Sequence, residues 1–171
     1  MAERFYMDYQ LPGVELINTS TISSIITILH GYQARNELSL GLSFPEFSDF
    51  SLGNILRIIS TSKHDLMKFN SHSIIQLLQK NNNISPGSII TEHKKEKQYR
   101  FIRDRRLDRR TASRWVRKKS LTEHEALDKV NYTKRKFPIK DTLHGIWLRS
   151  KKGQLFKIYI RKELANEQLF P

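Results

Sequence analysis

FYMDYQLPGVELINTSTISSIITILHG, residues 5 to 31, holds two periodicities in succession, and the change from one to the other decides the fold class. Phe5, Met7, Tyr9 and Leu11 fall at alternate positions, as in a strand with one buried face, so residues 3 to 11 are predicted as the first strand. From Thr19 the apolar residues fall at Ile22, Ile25, Ile26 and Leu29, the i, i+3, i+4, i+7 spacing of a helix. Ser20 or Thr21 is available as its cap, and its end is expected between Gly31 and Asn36. Outward from there, LSLGLSF (38 to 44) and ILRIIST (55 to 61) read as strands bounded by PEFSDFSLG. SKHDLMKFN and SHSIIQLLQKN read as a second, interrupted helical region, and SIITEHKKEKQYRFI as a closing strand. The order β-α-β-β-α-β is the ferredoxin-like arrangement. The expected class is therefore α+β, with a ferredoxin-like domain over residues 1 to 98 and a C-terminal part over residues 99 to 171. Because that arrangement hosts many unrelated functions, the chemistry has to be read from later segments.

The charge sits in those later segments. The 171 residues carry a net +13, and the stretch from Lys94 to Lys119 has thirteen basic against three acidic residues, a local surplus of +10. Solubility needs far less, and a surplus of this kind marks a polyanion partner, most often nucleic acid. A field concentrated in one short stretch is what phosphate neutralisation with counterion release requires. Hydrophobic residues are 38% and charged residues 27%, too apolar for a disordered chain and too evenly mixed for a membrane protein. No run of about 18 apolar residues is present. The start, MAERFYMDYQ, lacks the order of a secretory signal, so a cytoplasmic location and no membrane partner are expected.

Asp108 to Lys119 suits a helix, and LTEHEALDKV suits a second one, with Thr122 and Glu125 in the spacing of a capping box. If residues 106 to 119 are helical, Arg106, Arg110, Arg114 and Arg117 form one guanidinium stripe, with Arg103 a turn earlier. Guanidinium groups make forked hydrogen bonds to phosphate oxygens and guanine edges, which suits them to track a groove. A solvated helix held by salt bridges would need acidic partners four residues away, and only Asp104 and Asp108 are on offer. The groove of duplex RNA is narrow, but the end of a short hairpin is more open and would admit such a helix. GIWLRS and QLFKIYIRK alternate around SKKG and predict a β-hairpin with Gly153 in the turn.

Cysteine is absent, which excludes disulfide scaffolds, cysteine nucleophiles and thiolate zinc sites together. Clustered carboxylates and histidines at ligand spacing are lacking too, so no metal site and no cofactor is expected. Any catalysis should use acid–base groups. RNA supplies its own nucleophile in the 2′-hydroxyl, and one histidine and one hydroxyl could then suffice.

Four segments, taken in order, resemble the CRISPR repeat-processing endoribonucleases of type I-F systems. They are ILHG (28 to 31) followed by LGLSFPEF, the arginine helix leading into SLTEHEA, LRS (148 to 150), and GQLFKIYIR (153 to 161). The resemblance implies a ferredoxin-like N-terminal domain and an arginine helix docked in the major groove of the repeat stem-loop. Cleavage would fall 3′ of the stem without a divalent ion, leaving a 2′,3′-cyclic phosphate. It implies that His30 acts on the 2′-hydroxyl, that Ser150 helps hold it, and that Phe156 stacks under the closing base pair. Arg103 and Arg105 match two linker side chains that read bases at the foot of the stem. The family usually has a glutamine where Arg105 stands, so a guanine edge would be favoured there over adenine. Arg110, Arg114, Arg117 and Lys118 match groove-facing positions. The implied partners are the CRISPR repeat stem-loop and the other subunits of a type I-F surveillance complex. The family continues into a YGLS-like tail with an active-site tyrosine. That tail is missing after ELANEQLFP, so either the sequence is cut short or the chemistry proceeds without it.

Each residue also has a plainer reading. A histidine beside an apolar stripe is commonly structural, a serine before a turn is common for backbone reasons, and a phenylalanine on an alternating strand is commonly core. His64, His72 and His124 are expected to face solvent, while His93 or His144 could touch RNA or serve as an alternative base. A non-catalytic RNA- or DNA-binding module therefore stays open beside the nuclease, as does, more weakly, a basic ribosome-associated protein.

Overall fold

The computed structural model describes residues 3–35, 37–38, 40–92, 99–106, 111–136, 138, 141–150 and 153–164. The described residues form an α+β protein with two antiparallel sheets and five helices.

β1 (Phe5–Gln10) alternates as expected, with Phe5, Met7 and Tyr9 buried. It is flanked by β3 (Ile55–Ser60) and β4 (Ser85–Thr91), and β2 (Leu40–Ser43) forms the far edge, giving the order β2-β3-β1-β4. All three pairings are antiparallel, the sheet of a ferredoxin-like β-α-β-β-α-β unit. On the face away from the helices, Arg57 Nε and Nη2 donate to Asp8 Oδ1 and Oδ2 at 2.7 and 2.8 Å, with the guanidinium 3.7 Å from the Tyr6 ring centroid.

α1 (Glu15–Ala34) is capped at Val14, nearly two turns before the expected Ser20 or Thr21 cap. The hydroxyls explain the difference. Ser20, Ser24 and Thr27 donate to the carbonyls of Ile17, Ser20 and Ser23, a use of serine and threonine inside a helix that leaves them satisfied without capping it. The interrupted helical region is two helices, α2 (Lys63–Asn70) and α3 (Ser73–Lys80). Ser62 caps the first through Asp65 N at 3.3 Å, and the His72 Nδ1 caps the second through Ile74 N at 3.2 Å. His72 is thus a half-buried cap rather than a solvent-facing side chain. Tyr9, Ile25, Phe44, Leu56, Ile58, Leu66, Phe69 and Ile75 fill the core between helices and sheet.

SIITEHKKEKQYRFI is not one closing strand. Its apolar ends belong to different sheets, β4 to the first and β5 (Tyr99–Asp104) to the second, and residues 93–98, with His93, lie outside the described ones. The second sheet has the order β5-β7-β6, with β6 (His144–Arg149) and β7 (Leu155–Leu164) forming the expected hairpin and Gly153 in the left-handed region at φ 80°. Ile146, Ile158 and Ile160 join the same apolar core as Phe5 and Ile25, because α1 packs on β6 as well as on the first sheet. Rings close the junction, with the Phe101 centroid 5.3 Å from that of Phe44 and 5.6 Å from that of Phe47. Thr142 Oγ1 donates to Asp49 Oδ1 at 2.6 Å, and His144 Nε2 lies 2.8 Å from the Ser48 carbonyl oxygen, so His144 is half-buried and used in packing.

α4 (Ala112–Lys119) and α5 (Glu123–Lys136) pack on each other, and the capping box forms as expected. Glu125 Oε2 accepts from Thr122 N at 2.9 Å while Thr122 Oγ1 accepts from Glu125 N at 3.3 Å. No helix of the described residues is long and apolar enough to cross a membrane.

Candidate functional site

His30 stands one turn before the end of α1, with its imidazole exposed while its neighbours Ile28, Leu29 and Tyr32 are buried and fix the helix to the core. The strand against which α1 packs, β6, ends at Arg149, so Ser150 follows directly at the turn. Ser150 N donates to Gln154 O at 2.8 Å, its carbonyl accepts from Gly153 N at 2.9 Å, and its Oγ accepts from Gln154 N at 3.1 Å. The backbone reason for a serine here is therefore real. Among the described residues this uses only an acceptor site of the hydroxyl, and none of them takes its proton. Phe156 pairs with Leu148 across the hairpin and shares the face of buried Ile158 and Ile160, yet remains 38% exposed because it lies beyond the packed part of that face. The fold thus keeps His30 on a helix packed against the strand that leads to Ser150, with Phe156 near the same tip.

The segment after β5 departs from expectation. Asp104, the last residue of that strand, is buried, and it accepts from Arg106 N at 2.8 Å, Arg106 Nε at 2.8 Å and Arg106 Nη2 at 2.5 Å. Arg161 Nε adds an ion pair at 3.3 Å, and Arg106 Nη2 also donates to Asp141. The Arg106 hydrogen bonds hold the Asp104 carboxyl below the usual carboxylate range, and the two carboxylates raise the Arg106 guanidinium. Arg106 precedes α4 by several residues, so it is not the first member of a helical stripe. A tight turn closed by the Asp104 carboxylate competes with helix there and prevails. Arg103 and Arg105, on either side of Asp104, are exposed.

On α4, Arg117 is exposed and Arg114 half-buried, three residues apart on one face. Arg110 and the Lys118 side chain lie outside what the structure describes. Trp115 follows Arg114 in the helix, and its Nε1 is buried with no hydrogen-bond partner among the described residues. Ala126 and Val130 form the buried side of α5.

From the sequence the arginines read as one class, with Asp104 weighed only as a helical salt-bridge partner and Asp141 not at all. Asp104 was visible as the lone carboxylate amid Arg103, Arg105 and Arg106, but Asp141 lies too far along the chain to be paired by spacing. Among the described residues, no group of three or more His, Asp or Glu side chains is arranged to hold a metal ion. The profile of a protein family described as CRISPR-associated protein (Cas_Csy4) matches residues 6–170. No curated protein matches the chain.

Proposed function

Because the chain belongs to the CRISPR-associated Cas_Csy4 family of CRISPR RNA-processing endoribonucleases, we propose that it is a sequence-specific, metal-independent nuclease that cuts the CRISPR repeat stem-loop 3′ of its stem. The observation that carries this reading is the packing of α1 on β6, which holds the His30 helix beside the strand leading to Ser150. His30 removes the proton of the 2′-hydroxyl, and the Ser150 hydroxyl hydrogen-bonds that oxygen and orients it. The 2′-oxygen then attacks the adjacent phosphorus. A P–O2′ bond forms, the P–O5′ bond breaks, and the 5′-oxygen leaves after protonation, giving a 2′,3′-cyclic phosphate and a 5′-hydroxyl. Phe156 supplies a ring for the closing base pair, Arg103 and Arg105 read bases at the foot of the stem, and Arg110, Arg114, Arg117 and Lys118 neutralise groove phosphates. Arg106 contributes to RNA binding through its hold on the linker. The protein acts in the cytoplasm, retains the cut hairpin and serves as a subunit of a type I-F surveillance complex.

The second reading, an RNA-binding module without catalysis, draws on one observation, the use of Ser150 Oγ as the turn acceptor for Gln154 N. Incubation of the protein and its His30→Ala variant with a labelled repeat hairpin in EDTA separates the two. Cutting by the parent alone, with a 2′,3′-cyclic phosphate end, is expected. Tight binding with no cutting by either protein would overturn the nuclease and leave the binding module.

A further inference from the structure

The β5-β7-β6 sheet has an outer face, turned away from α1, that the proposed reaction leaves unused. Ile146, Ile158 and Ile160 are buried on the inner face, so the alternate residues of β6 and β7 stand on the outer one. Register sets Gly145 opposite Tyr159, Trp147 opposite Lys157, and Arg149 opposite Leu155. Trp147 is 52% exposed. A single exposed tryptophan is ordinary surface, but this one has a second ring on the neighbouring strand and a cation between them. The Lys157 Nζ lies 5.5 Å from the centroid of each ring, Trp147 and Tyr159. The glycine makes this possible, since a Cβ at Gly145 would collide with the Lys157 Cε and Nζ.

The charges of this face complete the case for a nucleic acid over a protein. Its acids, Asp104 and Glu163, are already taken, the first by Arg106 and Arg161, the second by Arg100 and Arg161. Lys157 and Arg149 remain with no carboxylate among the described residues, so the uncompensated charge is positive. Aromatic rings on an exposed sheet face with cations beside them are a stacking platform for unpaired bases. The platform also starts at the hairpin tip that carries Ser150. Trp147 is three residues back along β6, about 10 Å at the rise of a strand.

We propose that unpaired RNA immediately 3′ of the cleavage point passes over the β6–β7 tip and stacks on Trp147 and Tyr159, with Lys157 and Arg149 against its phosphates. The direction of that strand rests on the proposed role of Ser150. The platform would make uncut RNA bind more tightly than cut product, since only uncut RNA carries the segment that reaches it.

Three labelled probes test this at fixed salt: a CRISPR-repeat hairpin ending at the cleavage point, the same hairpin with an unpaired oligouridine extension and a 2′-deoxy cleavage site, and oligouridine alone. The parent should bind the extended hairpin about fivefold or more tighter than the trimmed one, the low end for stacking one base. Trp147→Ala should abolish that advantage without changing affinity for the trimmed hairpin, and Trp147→Phe should restore most of it. Equal affinity of the parent for both hairpins overturns the proposal and leaves the face to a protein partner, as does an advantage that survives Trp147→Ala. Trp147-dependent binding of oligouridine with no binding of either hairpin would uphold the platform while overturning the hairpin reading. If no probe binds, both fall.

Discussion

Replacing Asp104 by asparagine tests whether the carboxylate after β5 holds the RNA-reading linker in place. The substitution keeps the size of the side chain and one oxygen, which can still accept from Arg106 N. It removes the charge that faces Arg106 Nε, Arg106 Nη2 and Arg161 Nε, and presents an amide NH2 to a guanidinium. Hydrogen bonds between charged groups are worth about 1.5–3 kcal/mol, and deleting one partner of a fully buried ion pair costs about 3–5 kcal/mol. The Asp104 side chain is only 2% exposed, but those of Arg106 and Arg161 are 41% and 30% exposed and can rehydrate. The low end therefore applies, about 2 kcal/mol. At the size of this chain that lowers Tm by about 4–8 °C. Thermal unfolding followed by circular dichroism reads the shift. Because the native carboxyl titrates below its ordinary 3.8, its stabilisation is complete above that value and is lost as the pH falls through the lower native value. The Tm gap between parent and variant should hold from pH 7 down to about pH 4 and close below it. An unchanged Tm at pH 7, or a gap that stays open in acid after the parent carboxyl has protonated, would refute the reasoning.

Arg114→Ala and Arg117→Ala should each weaken hairpin binding across RNA sequences and reduce the slope of log K against log salt by about 1, measured by filter binding over a salt series. Tyr9→Phe should cost about 1 kcal/mol at neutral pH through the lost hydrogen bond to Asn70, read by denaturant unfolding. Burial raises the Tyr9 phenol above its ordinary 10.0, so the parent loses stability as the pH rises past that value, and Tyr9→Phe should not share this part of the loss. Leu56→Ala, at a fully buried position in the first sheet, should cost about 3 kcal/mol with no effect on the salt slope of RNA binding, a contrast that separates core from interface.

The first sheet was legible because its strands carry their pattern locally. Phe5, Met7 and Tyr9 announce a face by themselves, and Thr122 with Glu125 announces a helix start within four residues. What could not be read was pairing between distant segments. Tyr99 to Asp104 has strand character, but its membership of the second sheet depends on β7, which lies past both C-terminal helices. The arginine stripe failed at Arg106 for a related reason, since periodicity counts a guanidinium wherever it falls, whereas Asp104 and Asp141 decide where this one points. His30, Ser150 and Phe156 were read from resemblance rather than spacing. His30 lies far along the chain from the other two, and the packing of α1 on β6 is what relates it to the hairpin.

The pairing of β5 with β7 also sets a timetable for synthesis. Every strand of the first sheet has been made once Thr91 leaves the ribosome, whereas β5, complete at Asp104, waits for a partner that begins at Leu155. At about 5–20 residues per second, the fifty intervening residues take roughly 3–10 seconds to emerge. During that interval β5 is an unpaired strand edge joined to the most cationic stretch of the chain. The half expected to bind RNA is therefore the last to gain its tertiary structure, and a nascent chain carries its polycation beside ribosomal RNA before it owns a surface to present it on.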